Sequence, residues 1–180
     1  MNFAEYNVKD ANFEEILLAL KSLDTVEAVA LGGSRSTGAS DENSDYDIYV
    51  YCAEIPTAET RENLLEKYCS IAEFGNHYWE SEDNTVMNNG IPVDIIYREV
   101  DRFGRYIDTV INGGKAFNGY TTAFWHNIKN SKVLFDKTGT FTKFRDMAQI
   151  DFPENLRNAN YQKQPTNLLN GKPFRQFDDR

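Results

Sequence analysis

Apolar residues recur at helical spacing in NFEEILLALKSL (12–23), where Phe13, Ile16, Leu17, Leu20 and Leu23 share one face. Asn12 and Glu15 stand three apart, as in a capping box, so an amphipathic helix is predicted. TVEAVALGG (25–33) is then an apolar run closed by paired glycines, and DYDIYVYC (45–52) is rich in β-branched and aromatic residues. Both are predicted strands, with a polar stretch between them. Pro56 opens a predicted helix over 57–72 that buries Leu64, Leu65, Tyr68 and Cys69. Beyond Gly75, NHYWES and TVMNN predict a hairpin joined through Glu82 and Asp83, whose carboxylates solvate the turn. IPVDIIYRE (91–99) is the next strand, introduced by Gly90. Helices are expected over 100–112, closed by Gly113 and Gly114, and over 120–129, followed by a strand at KVLFD and a last helix starting at Pro153.

This order predicts an α+β fold, a small mixed β-sheet with helices packed on one side. Residues 1–150 form the expected main domain, and 151–180 a C-terminal helix and polar tail with little periodicity. A chain of 180 residues can bury roughly 70% of its unfolded surface, enough for one closed core. Its 28 acidic and 19 basic residues leave a net charge of -9, which repels long polyanions and makes duplex nucleic acid an unexpected partner. No window approaches 18 apolar residues and the N-terminus lacks the pattern of a secretory signal, so a cytoplasmic protein without a membrane partner is expected. Cys52 and Cys69 lack CxxC spacing and are expected as reduced, buried thiols; two histidines exclude a histidine-rich metal centre.

Chemistry concentrates in Leu31-Gly32-Gly33-Ser34-Arg35-Ser36-Thr37-Gly38 and Ser44-Asp45-Tyr46-Asp47-Ile48. On a strand, residues two apart face the same way, roughly 6.5 to 7 Å apart, so Asp45 and Asp47 present paired oxygen ligands to a hard divalent cation. Mg²⁺ takes one or two protein carboxylates and completes its shell with water and substrate phosphates. Gly32 and Gly33 let the backbone turn sharply and approach an anion, Ser34 adds a hydroxyl donor, and Arg35 adds a full positive charge if 34–40 starts a helical turn. Asp94 is an acid inside an apolar strand. Neighbouring strands lie about 4.8 Å apart, so pairing of 91–99 with 45–52 would complete a carboxylate cluster. Such a cluster needs counter-charge; two Mg²⁺ ions about 3.5 to 4 Å apart would supply it and clamp an in-line displacement at phosphorus, with Asp94 placed to accept a proton.

Gly-Gly-Ser, a spacer, Ser-Asp-Tyr-Asp-Ile and a later strand Asp together resemble the nucleotidyltransferase superfamily of DNA polymerase beta type, and within it the small bacterial adenylyltransferases and minimal nucleotidyltransferase domains, antibiotic-modifying ones included. The resemblance covers 25–52 and 90–98. It implies a polymerase beta-like fold, a nucleoside triphosphate held by Gly33 and Ser34, two Mg²⁺ ions on Asp45 and Asp47, and Asp94 binding one metal and assisting deprotonation. The nucleotide-site candidates are Gly32, Gly33, Ser34, Arg35 and Ser44; the catalytic and metal candidates are Asp45, Asp47 and Asp94.

The expected reaction moves a nucleoside monophosphate, AMP from ATP, to a hydroxyl of a small-molecule acceptor and releases pyrophosphate. The other reading is an antitoxin-like or partner-dependent nucleotidyltransferase module that acts on or binds another protein, with or without catalysis, since minimal members of the superfamily occur in toxin–antitoxin pairs. Many antibiotic-modifying relatives continue into a helical domain that helps form the acceptor site. Here a second subunit, such as a homodimer partner, would complete that site, or the chain is a shortened form. The G-x-x-x-x-G spacing of Gly33–Gly38 is not a P-loop, because Ala39 stands where Lys is required. His77, Trp79 and Glu80 are weighed as acceptor-pocket residues against plain hairpin packing, Trp125 and His126 as helix packing, and Arg98 and Lys115 as minor sources of positive charge.

Overall fold

The computed structural model describes residues 10–38, 40–41, 44–77, 80–114 and 120–149. The first half contains α1 (Ala11–Lys21), β1 (Val26–Leu31), the short α2 (Gly33–Thr37), β2 (Tyr46–Cys52), α3 (Ala58–Leu65), a 3₁₀ turn (Glu66–Tyr68) and β3 (Cys69–Asn76). The second half contains β4 (Ser81–Met87), β5 (Pro92–Glu99), α4 (Val100–Ile111), α5 (Tyr120–Asn130), β6 (Lys132–Asp136) and α6 (Thr140–Ala148). The helix expected at Pro153 lies outside the described residues.

The six strands form one sheet in the order β3-β4-β5-β2-β1-β6. Only the central β2–β5 pair is parallel, so the sheet is mixed, as expected. The helices, however, cover both faces of it rather than one. Val29, Leu31, Ile48, Val50, Val93 and Ile95 pack with Phe13, Ile16 and Leu20 of α1 and Leu65 of α3. Ala28, Ala30, Tyr49 and Tyr51, the alternate positions of β1 and β2, pack on the other side with aromatic and aliphatic residues of α4, α5 and α6. Period-2 geometry makes this unavoidable: runs such as AVAL and IYVYC are apolar at every position and must be covered twice.

Three local expectations are corrected. The cap of α1 is Asp10, which accepts from the amides of Asn12 (3.0 Å) and Phe13 (3.3 Å), so the helix starts ahead of the capping box expected at Asn12. The helix expected over 57–72 ends at Leu65, because residues from Cys69 onward pair antiparallel with β4 as the sheet's edge strand. That pairing also moves the hairpin turn, placing Glu82 and Asp83 inside β4. In addition, α6 lies where no helix is expected from the sequence pattern. Both cysteines are free; Cys52 is buried, and burial pushes its thiol up to about 12.

Asp83 is fully buried and pairs with Arg61 of α3 at 3.0 Å, Arg61 itself being 2% exposed. Asp83 also accepts from the Gly75 amide (2.9 Å), while Arg61 donates to Ser81 Oγ (2.9 Å) and lies over the Tyr97 ring at 4.4 Å. Burial outweighs these stabilising partners, so the Asp83 carboxyl titrates above its ordinary range. The pair ties α3 to the β3–β4 hairpin, and removing one member leaves the other charge buried without compensation. We expect Arg61→Ala to lose about 3–5 kcal/mol of stability in urea denaturation, and the joint Arg61→Met/Asp83→Leu replacement to lose less. A loss near zero for Arg61→Ala would show that water reaches Asp83.

Candidate active site

β1 ends at Leu31, and the Gly32 amide donates to the Asp47 carbonyl of β2 (2.8 Å), carrying the ladder into the turn. Gly33 then adopts φ +59°, a left-handed conformation. A Cβ there would lie 1.7 Å from Asp47 Oδ2, so only glycine lets the turn touch this carboxylate. A Cβ on Gly32 would meet Tyr49 Cε2 at 2.5 Å. The turn continues into α2, the helical turn expected from residue 34 onward.

Arg35 closes the loop that follows. Its Nε donates to the carbonyls of Ser44 (2.8 Å) and Asp45 (3.1 Å), and its guanidinium lies 3.9 Å from the centre of the Tyr46 ring. The charge therefore holds the approach to the Asp-x-Asp strand. Ser44 works in the same loop, donating from Oγ to Asp41 Oδ1 (2.9 Å) and accepting from the Asp41 amide (3.0 Å).

The parallel β2–β5 register sets Asp47 opposite Asp94. Each of Asp45, Asp47 and Asp94 offers a carboxylate oxygen within 4.8 Å of the others, with Asp45 exposed and the other two half-buried. Burial first, then the charges of Asp45 and Asp94, raise the Asp47 carboxyl above its ordinary value. An all-oxygen donor set with uncompensated like charge suits a hard divalent cation such as Mg²⁺, and Asp45, Asp47 and Asp94 are the residues that would hold it.

Two residues overlooked in the sequence orient the third acid. Asn84 Nδ2 donates to Asp94 Oδ1 (2.9 Å), and Asn76 Nδ2 donates to Asn84 Oδ1 (2.7 Å). Asn84 lies directly across from Asp94 in the β4–β5 register, which a correctly placed hairpin would have revealed. His126, read as packing, is exposed and lines a pocket of about 200 Å³ beside Gly33 and Ser34, whereas Trp125 is in the core as expected. Tyr49 bridges to the same helix, its hydroxyl accepting from Asn127 Nδ2 (2.6 Å).

His77 and Glu80 line a separate cavity of about 680 Å³ at the far end of β5; Trp79 and Lys115 lie outside the described residues. Arg98 is buried there, donating from Nε and Nη2 to Glu80 (2.9 and 2.8 Å), and so serves packing near that cavity. No described helix is long and apolar enough to cross a membrane.

Residues 13–117, more than half of the chain, match the family described as nucleotidyltransferase domain, and the chain belongs to that family. Among solved structures, the chain is similar to a toxin–antitoxin crystallised with AMP-PNP, at 18% identity and a TM-score of 0.43 over 75% of this chain and 82% of that one. It is also similar to Cid1 in complex with its short product ApU, at 17% identity and a TM-score of 0.39 over 67% of this chain and 39% of Cid1. Comparison with curated proteins gave no match.

Two outcomes follow from the packing around Asp47. Gly33→Ala is expected to abolish Mg²⁺-dependent stabilisation in thermal melts, whereas Gly38→Ala, with φ +79° but open space around its Cβ position, keeps it. The raised Asp47 value means that the folded state binds its proton more tightly than the unfolded chain, so stability falls as pH rises through that value. Asp47→Asn cannot ionise and escapes this loss. It is expected to melt above the wild type near neutral pH in EDTA, with the gap closing as pH falls toward the ordinary Asp value of 3.8.

Proposed function

We propose that the protein is a Mg²⁺-dependent nucleotidyltransferase that moves a nucleoside monophosphate, AMP from ATP, to a hydroxyl of a small acceptor and releases pyrophosphate. The observation that carries this reading is the convergence of Asp45, Asp47 and Asp94 within 4.8 Å beside a glycine turn that touches Asp47. When bound at Asp45, Asp47 and Asp94, the metal would supply charge neutralisation and Lewis-acid polarisation of the reacting phosphate.

The chain's own residues perform the rest. Gly33 and Ser34 hold the triphosphate next to Asp47, and Arg35 and Ser44 keep the loop before Asp45 in place. Asp94 accepts the proton of the acceptor hydroxyl as its oxygen bonds to the α-phosphorus and the bond to the bridging oxygen breaks, with the electron pair leaving on pyrophosphate. Asn84 occupies Asp94 Oδ1 and thereby orients the carboxylate. A net charge of -9 favours a small acceptor over a nucleic acid backbone.

The test is calorimetric titration with ATP and the other nucleoside triphosphates, with and without Mg²⁺, followed by a screen of hydroxyl acceptors for pyrophosphate release. Asp47→Asn is expected to retain the fold and lose metal-dependent activity by at least about a hundredfold. Full activity in this variant would sink the two-metal assignment.

A further inference from the structure

The cavity of about 680 Å³ at the far end of β5 takes no part in the chemistry of the acidic centre, and none of Asp45, Asp47 and Asp94 lines it. Arg98 on its wall stands four residues along β5 from Asp94, about 13 Å at the rise of a strand. The volume falls inside the roughly 300–1,000 Å³ of sites that take a whole small ligand. Ile55, Pro56 and Ala58 supply apolar lining at the start of α3, and Phe103 and Tyr106 supply two rings from α4. Such a lining suits a planar aromatic body.

Three arginines and two glutamates line the cavity, the reverse of a chain with 28 acidic and 19 basic residues. Glu80 is engaged by Arg98 through two hydrogen bonds. Arg61 is 2% exposed, and its Nε has no hydrogen-bond partner among the described residues. A buried guanidinium N–H without an acceptor carries a cost that an anion in the cavity would relieve. Arg102 is exposed in the first turn of α4. The N-cap of that helix, Glu99, makes no side-chain capping bond, which leaves first-turn amides open to an anion where the helix dipole favours one.

We propose that this cavity is a second ligand site, separate from the acidic centre, that takes a planar aromatic molecule carrying one anionic group. Phe103 and Tyr106 pack against the ring, while Arg102 and the amino end of α4 bind the anion. Glu99 at the same helix start opposes a longer run of negative charge, so a single anionic group fits better than a triphosphate. With no carboxylate cluster on its wall, the site needs no divalent cation to accept an anion. A nucleoside monophosphate and an aromatic carboxylate share this chemistry.

The test titrates the full chain in EDTA with AMP and with 2-naphthoate, using adenosine and 2-naphthamide as their uncharged counterparts, in the wild type, Arg102→Glu, Ala58→Trp and Asp47→Asn. Ala58 and Arg102 are exposed, and thermal melts verify folding of each variant. The wild type is expected to bind at least one of the two anions about tenfold more tightly than its uncharged counterpart. AMP alone identifies a phosphate ligand and naphthoate alone a carboxylate. Arg102→Glu is expected to weaken that binding about tenfold, Ala58→Trp to weaken it by filling the cavity, and Asp47→Asn to change it less than twofold. Binding of neither anion, equal binding of the charged and uncharged forms, or unchanged affinity in Arg102→Glu and Ala58→Trp would overturn the proposal. If Asp47→Asn loses AMP binding while Arg102→Glu keeps it, the ligand sits at the acidic centre; the cavity assignment then fails and the nucleotidyl-transfer reading stands.

Discussion

The parallel pairing of β2 with β5 is the constraint on which the site depends. Antiparallel neighbours can be joined by a tight turn, but a parallel pair needs a long crossover, supplied here by α3 and the β3–β4 hairpin. That connection places the hairpin on the far side of β5 and brings Asn84 across from Asp94. The register then sets Asp94 beside Asp47. A slip of one residue would turn Asp94 toward the α1 face and leave the acidic centre with two members.

Two acid sites on opposite faces of this sheet meet burial in different ways. Asp83 is fully enclosed with Arg61, a built-in counter-charge that fastens the hairpin to α3. The centre formed by Asp45, Asp47 and Asp94 stays partly open, and the nearby cation Arg35 is spent on backbone carbonyls of the adjoining loop. Mutual repulsion and burial of Asp47 therefore persist in the fold. Such an arrangement lowers stability locally and leaves an all-oxygen donor set open to an external cation, a common compromise between stability and function.

Glycine and aromatic residues join the site to the core. The Gly33 turn can touch Asp47 because it lacks a Cβ, while Gly32 makes room for Tyr49. Burial pushes the Tyr49 phenol up to about 12, so it remains neutral and accepts from Asn127. Tyr49 thus links α5 to the turn, and the packing of Phe124 and Ile128 against the sheet sets how near His126 comes to Gly33.

Local chemistry was legible in the chain: the periodicity of α1, the apolar runs of β1, β2 and β5, the turn glycines and the three acids follow from side-chain period and residue type. The covering of both sheet faces was implicit in runs apolar at every position, yet it depends on which helices reach which side. The polar edge strand β3 was misread because its pairing with β4 overrides a weak helical pattern. Asn84, Arg61 with Asp83, and the α5 wall of the small pocket became visible only in three dimensions. Sequence by itself determined which groups are available and which backbone turns they permit; tertiary structure decided their company, because burial, register and counter-charge arise between segments far apart along the chain.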